Sequence, residues 1–110
     1  MTDKIVILST CATQEEAERI ARLLVDARLA ACVNVVPRVR SFYWWKGAVE
    51  SGDEWLLLIK SSRDRFDALR LELEKAHSYE VPEAIALAIV DGAKNYMAWL
   101  DASLTGDTGE

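Results

Sequence analysis

Apolar residues along this chain alternate between two periods, and each change of period marks the start of a new element. Ile5-Val6-Ile7-Leu8 is apolar at every position, as in a strand covered on both faces, and Ser9-Thr10 carries it towards Cys11. Thr13 followed by Glu16 is a capping-box pair that opens a helix. Ala17, Ile20, Ala21 and Leu24 then recur at helical spacing, with Glu15/Arg19 and Glu18/Arg22 as i,i+4 pairs on the outer face, and the pattern predicts helix to about Leu29.

The second strand is Ala31-Cys32-Val33-Asn34-Val35-Val36, and Pro37 in its continuation predicts an edge position or a bulge, because proline cannot donate to the ladder. Past Pro37 the period is two: Val39, Ser41, Tyr43 and Trp45 fall on one face, and Arg38, Arg40, Phe42 and Trp44 on the other. Lys46-Gly47 begins a reversal, so a long aromatic hairpin is expected. Glu50 to Asp53 reads as a second bend, and Glu54 to Lys60 as the third strand, with Glu54, Leu56, Leu58 and Lys60 on one face. Ser61 or Ser62 caps a second helix with Phe66, Leu69, Leu73 and Ala76 as its buried stripe. Pro82 stops helix and favours extended backbone before it, so Ala84 to Val90 reads as a buried fourth strand. Tyr96, Trp99, Leu100 and Leu104 define a closing helix, and 105–110 is expected to be a frayed polar tail.

The order is βαββαβ plus a terminal helix, the plan of an α+β, ferredoxin-like antiparallel sheet with both helices on one face. A chain of 110 residues with no repeat or linker is read as one domain over 1–110, large enough to fold without metal or disulfide. Three of the four tryptophans fall between Trp44 and Trp55, on or beside the hairpin. A lone subunit would leave this apolar ribbon and a strand edge in water, which predicts a closed homo-oligomer; the competing arrangement folds the Trp99 helix back over the ribbon.

Composition narrows the function classes. Thirteen basic against eighteen acidic side chains give a net charge of −5 with no basic patch, which sets nucleic acid aside as a partner. The longest apolar run, Ala84 to Val90, is far short of the roughly 20 residues of a membrane-spanning helix. Cys11 and Cys32 lack CxxC spacing and the N-terminus has no apolar leader core, so a reduced, cytoplasmic protein is expected.

The chemistry concentrates at His77-Ser78-Tyr79-Glu80-Val81-Pro82-Glu83, which holds the only histidine, between the second helix and the fourth strand. Taken with Ala30-Ala31-Cys32-Val33-Asn34, Pro37, Ser41-x-Tyr43-x-Trp45-x-Gly47, Glu54, Lys60-Ser61, His77-x-Tyr79-x-x-Pro82-Glu83 and Tyr96-x-x-Trp99, the chain resembles the CutA divalent-cation tolerance family across about residues 5–104. The resemblance implies a ferredoxin-like subunit, a homotrimer joined through strand edges, a cytoplasmic protein linked to tolerance of copper and other divalent metals, and no established reaction. It also implies a copper site of a cysteine near the end of the first strand and a histidine pair before the turn. Here Ser9 stands at the cysteine position and Ala76 at the first histidine, leaving His77, with Cys11 two residues further on.

His77 is therefore the leading candidate ligand for Cu or Zn, with Cys11 and Glu80 as partners. The alternative is that His77 caps the last carbonyls of the second helix. Cys32, in an apolar strand, is expected to be a small buried hydrophobe. Tyr43, Trp45, Glu54, Lys60, Tyr79 and Glu83 form a candidate pocket between subunits, for which the plainer reading is a Glu54–Lys60 ion pair that fixes strand register at the trimer seam. Metal binding or metal response is the leading function. The alternative is a trimeric small-ligand sensor like the PII signalling proteins, although no glycine-rich phosphate cradle is present. An RNA-binding module is disfavoured by the apolar third strand, and no nucleophile–base spacing points to an enzyme.

Overall fold

The structure is a computed structural model in which residues 2–106 are described. Its elements are β1 (Lys4–Cys11), α1 (Gln14–Asp26), β2 (Cys32–Trp45), β3 (Ala48–Ser62), α2 (Phe66–Ala76), β4 (Ile85–Ala88) and α3 (Lys94–Thr105), with one 3-10 turn at Arg63–Arg65 leading into α2. The sheet order is β2-β3-β1-β4, antiparallel throughout, as the βαββαβ pattern predicts. Thr13 caps α1 by accepting a 3.2 Å hydrogen bond from the Glu16 amide. The helix stops three residues short of Leu29 because Arg28 turns left-handed (φ 59°) and the Leu29 amide reaches back to the Leu24 carbonyl, a Schellman closure. Neither predicted surface pair forms on α1. Arg19 turns instead to Glu16, 3.7 Å away, and donates to the Ala76 carbonyl at the end of α2.

β2 and β3 form a hairpin arm that extends past the rest of the sheet and gives the subunit its 49 Å long axis. The arm closes in a two-residue turn at Lys46-Gly47, both with positive φ (49° and 83°), whose twist matches that of the strands. Glu50 to Asp53 is not a bend: these residues pair in register with Tyr43 to Arg40. β2 is an edge strand and also carries a bulge between Val36 and Val39, so both consequences of Pro37 are realised. The extra residue matters because Val36 pairs with Leu56 and Val39 with Glu54. It keeps Val39, Ser41, Tyr43 and Trp45 on the same face as Glu54, Leu56, Leu58 and Lys60, across a point where simple alternation would have reversed them.

The other sheet face carries Ile5, Ile7, Ser9, Cys11, Leu57 and Ile59, all buried beneath α1 (Ala17, Ile20, Leu24) and α2 (Leu69, Leu73). The open face carries Val6, Leu8, Leu56 and Leu58, only partly buried. α3 packs at one end of that face, where Leu100 and Leu104 meet Ala31 and Asp101 pairs with Lys4 at 3.0 Å. Trp99 stays 47% exposed beside Tyr96, and the aromatic arm keeps Phe42 and Trp44 above 70% exposed, so α3 does not cover the ribbon. Three further expectations are corrected. β4 is short and exposed along its length, because it is the other edge strand with nothing packed on it. Cys32 is half-exposed because its register partner, Lys60, puts it on the open face. Thr105 belongs to α3, which Gly106 ends in the left-handed conformation; the remainder of the expected tail, 107–110, lies outside the described residues.

Candidate functional site

The His77–Glu83 turn folds against the end of β1, and its backbone fixes the imidazole. His77 leaves the helix in extended geometry (ψ 143°), which points its ring away from the α2 carbonyls and towards the sheet. Nδ1 accepts from the Tyr79 amide at 3.0 Å, so the proton is on Nε2, which donates to the Thr10 carbonyl at 2.8 Å. His77 thus does not cap α2; Arg19 takes that terminal carbonyl. Nε2 also lies 3.7 Å from Cys11 Sγ. Two donors of a tetrahedral ion with Zn–S near 2.3 Å and Zn–N near 2.05 Å stand about 3.6 Å apart, so this spacing suits a shared ion.

The third member is Glu16, not Glu80. One donor atom from each of Cys11, Glu16 and His77 lies within 4.8 Å of the others. Glu16 is 7% exposed and accepts from the Ser78 amide at 2.7 Å and the Ser78 hydroxyl at 3.0 Å. Burial alone would raise its pKa, but the hydrogen bonds from the Ser78 hydroxyl and amide outweigh it and hold the carboxyl below its ordinary value. Cys11 is fully buried; desolvation first, then the charges of Glu16 and Glu54, push its thiol up to about 12. The residues therefore supply a thiol, an imidazole and a carboxylate, a donor set suited to copper or zinc, with Cys11 holding its proton until an ion displaces it. Ser9, two residues back on the same face, is buried, and its hydroxyl has no hydrogen-bond partner among the described residues.

Glu80 is exposed and opens onto a neighbouring cleft of about 790 Å³ between the aromatic arm and the turn. Tyr43, Trp45, Glu54, Tyr79 and Glu83 line the cleft with it. Tyr79 joins the two regions: its amide holds His77 while its hydroxyl donates to Glu54 at 2.6 Å, and its ring lies 4.6 Å from the imidazole. Burial and then the hydrogen bond to Glu54 raise the Tyr79 phenol, which stays the donor. Burial and then Glu54 also raise Glu83.

Lys60 does not join these residues within the subunit. It shares a sheet face with Glu54, but six residues of strand separate them, about 20 Å at 3.3 Å per residue, which rules out an ion pair within the chain. Its ammonium instead donates to the Tyr96 hydroxyl at 3.1 Å and lies 5.4 Å from that ring, and this hydrogen bond raises its pKa.

Glu16 is the residue that sequence reasoning missed. Its position three residues after Thr13 marks a capping box, and a capping role accounts for the glutamate and leaves no reason to give it another. Its carboxylate in fact turns to Ser78, 62 residues along the chain.

The family model described as CutA1 divalent ion tolerance protein matches residues 5–103. A divalent-cation tolerance protein CutA of Thermus thermophilus is 44% identical, over 86% of this chain and 92% of its own length. The chloroplastic protein CutA 1 of rice is 42% identical over 90% of this chain, which spans only 56% of that protein. The crystal structure of CutA from Xylella fastidiosa superposes with a TM-score of 0.90 at 39% identity, covering 94% of this chain and 99% of that one. Among the described residues no helix is long and apolar enough to cross a membrane. Ordered motifs, strand order and a match across nearly the whole chain agree: this protein belongs to the CutA divalent-cation tolerance family.

Proposed function

We propose that the chain captures a divalent transition-metal ion, copper or zinc, through Cys11, Glu16 and His77, and acts as a homotrimeric element of divalent-cation tolerance. The observation that carries this reading is the 3.7 Å approach of Cys11 Sγ to His77 Nε2 beside a buried carboxylate. Thiol and imidazole are soft to borderline donors that favour these ions over magnesium or calcium. To offer a lone pair, Nε2 must give up the proton it shares with Thr10, and the tautomer that results puts an N–H against the Tyr79 amide. Ion capture therefore disturbs Tyr79, and through it the hydroxyl that holds Glu54, which gives the protein a means of reporting that the ion is bound.

The trimer is supported by what one subunit leaves open: the Val6, Leu8, Leu56, Leu58 sheet face, two edge strands and the aromatic arm. Apolar area of this kind is normally buried against another copy. A sensor of phosphorylated ligands is disfavoured, because no basic residue among those described lines the cleft. Calorimetric titration of Zn(II) and Cu(II) tests the ion, and sedimentation velocity tests the assembly. The expected results are binding lost in Cys11→Ser and His77→Ala, and a single trimeric species that dissociates or aggregates in Leu58→Glu. Undiminished binding in both site variants refutes the site, and a well-folded monomer at micromolar concentration refutes the assembly.

A further inference from the structure

We propose that the cleft between the aromatic arm and the His77–Glu83 turn binds small organic ammonium ions, with Glu54 and Glu83 meeting the charge and Tyr43 and Trp45 packing on the alkyl groups. This site is separate from the Cys11 cluster and goes beyond ion capture there. Its volume of about 790 Å³ lies within the range of small-molecule sites. Among the described residues twelve line it; three are glutamates, five are aromatic and none is basic.

The two deeper glutamates are only half-exposed, and neither has a cationic partner among the described residues: Glu54 accepts from a neutral phenol, while Glu83 is raised by burial and by its acidic neighbour. Partly desolvated carboxylates without a counter-charge attract a cation, and anions are repelled for the same reason. Two observations distinguish an organic cation from a metal ion. The three cleft glutamates do not form a three-donor cluster; among the described residues only the Cys11, Glu16, His77 group brings three such donors together. The rest of the wall is aromatic face, which stabilises a diffuse, weakly hydrated ammonium and offers a small hard ion little. The arm already shows this preference with its own side chains, since the Lys46 ammonium stands 5.6 Å from the Trp45 ring and the Arg40 guanidinium 5.9 Å from that of Phe42.

The test is calorimetric titration of the full chain, stripped of transition metal with EDTA and then exchanged into chelator-free, metal-free buffer of fixed ionic strength, with putrescine, beside butane-1,4-diol as the uncharged isostere and magnesium as the hard cation. Expected are saturable heats with putrescine and none with the diol or magnesium. Glu83→Gln and Trp45→Leu should each weaken binding about tenfold, and Trp45→Phe should restore most of the loss. Circular dichroism confirms that each variant is folded. EDTA removes the metal site from the experiment, so failure here leaves ion capture at Cys11 standing, and the reverse. The proposal is overturned if putrescine gives no saturable heat, as when a side chain from a second copy fills the cleft, if the diol binds as well, or if folded Glu83→Gln and Trp45→Leu bind putrescine like the wild type.

Discussion

Ion capture at Cys11 requires the thiol proton to leave, and the protein sets the cost of that step. Desolvation, reinforced by Glu16 and Glu54, places the thiol at about 12 against an ordinary 9.0. At pH 7 the first value lies about five pH units from ionisation and the second about two. At about 1.36 kcal/mol per unit, deprotonation costs about 7 kcal/mol here, against about 2.7 kcal/mol for an unperturbed cysteine. The bound ion must supply that difference, so its affinity is tied to proton concentration. Glu16 is already ionised and the His77 proton only changes nitrogens, which leaves Cys11 as the one net source of protons. Zinc affinity is thus expected to rise about tenfold per pH unit between about pH 7 and 9, with about one proton released per ion. An unperturbed thiol would instead begin to level off near pH 9. The assay is calorimetry in paired buffers of different ionisation enthalpy, which counts protons directly, on the wild type and on Cys11→Ser. Binding with no proton release, or a flat pH profile shared by both proteins, refutes the assignment of Cys11 as a ligand.

The remaining predictions concern stability. Glu16→Gln removes a charged acceptor from the Ser78 amide and hydroxyl and should cost about 1–2 kcal/mol in urea unfolding at pH 7. The pH dependence of that loss has a definite sign. The folded carboxyl lies below its ordinary 4.5, so the contribution is fully present above about pH 4.5 and disappears as pH falls through the folded value. The gap between wild type and variant should close in acid, and a gap unchanged at pH 3 contradicts the cause given for the shift. Ser9→Ala deletes a buried hydroxyl that lacks a partner among the described residues, and thermal melting should show a neutral to slightly stabilising effect, up to about 1 kcal/mol; a clear loss of stability would refute the reading of this hydroxyl as unsatisfied. Gly47→Val places a β-branched residue at φ 83° in the arm's turn and should destabilise by about 1–2 kcal/mol, read as a fall in melting temperature.

Features whose causes lie within a few residues of one another could be read from the sequence. The Thr13 cap, the Lys46-Gly47 reversal and the disturbance at Pro37 each follow from a local backbone rule, and each is found where that rule places it. Features decided by a distant partner could not. Glu50 to Asp53 has the composition of a bend, yet each residue has a ladder partner on the opposite strand, and that pairing prevails over local preference. Ala84 to Val90 is apolar enough for a buried strand, but only Ile85 to Ala88 form strand and all four stay exposed, because periodicity says which residues seek cover and not whether one subunit provides it.

The same division explains the site. A period of two correctly put Glu54 and Lys60 on one face, but a face is a direction and not a place, and six residues of strand carry Lys60 out of reach of the cleft of its own subunit. His77 and Cys11, 66 residues apart, come together because extended backbone after α2 swings the imidazole onto the end of β1. Glu16 joins them through Ser78, which sits next to His77 in sequence, so the contact that recruits the carboxylate also anchors the turn that carries the imidazole. Stability and ligand geometry are thus coupled at Ser78. Ser78→Ala should weaken zinc binding without removing a donor, and if zinc titration of a folded Ser78→Ala protein gave the wild-type affinity, Glu16 would be a structural anchor and the ion would rest on Cys11 and His77 alone.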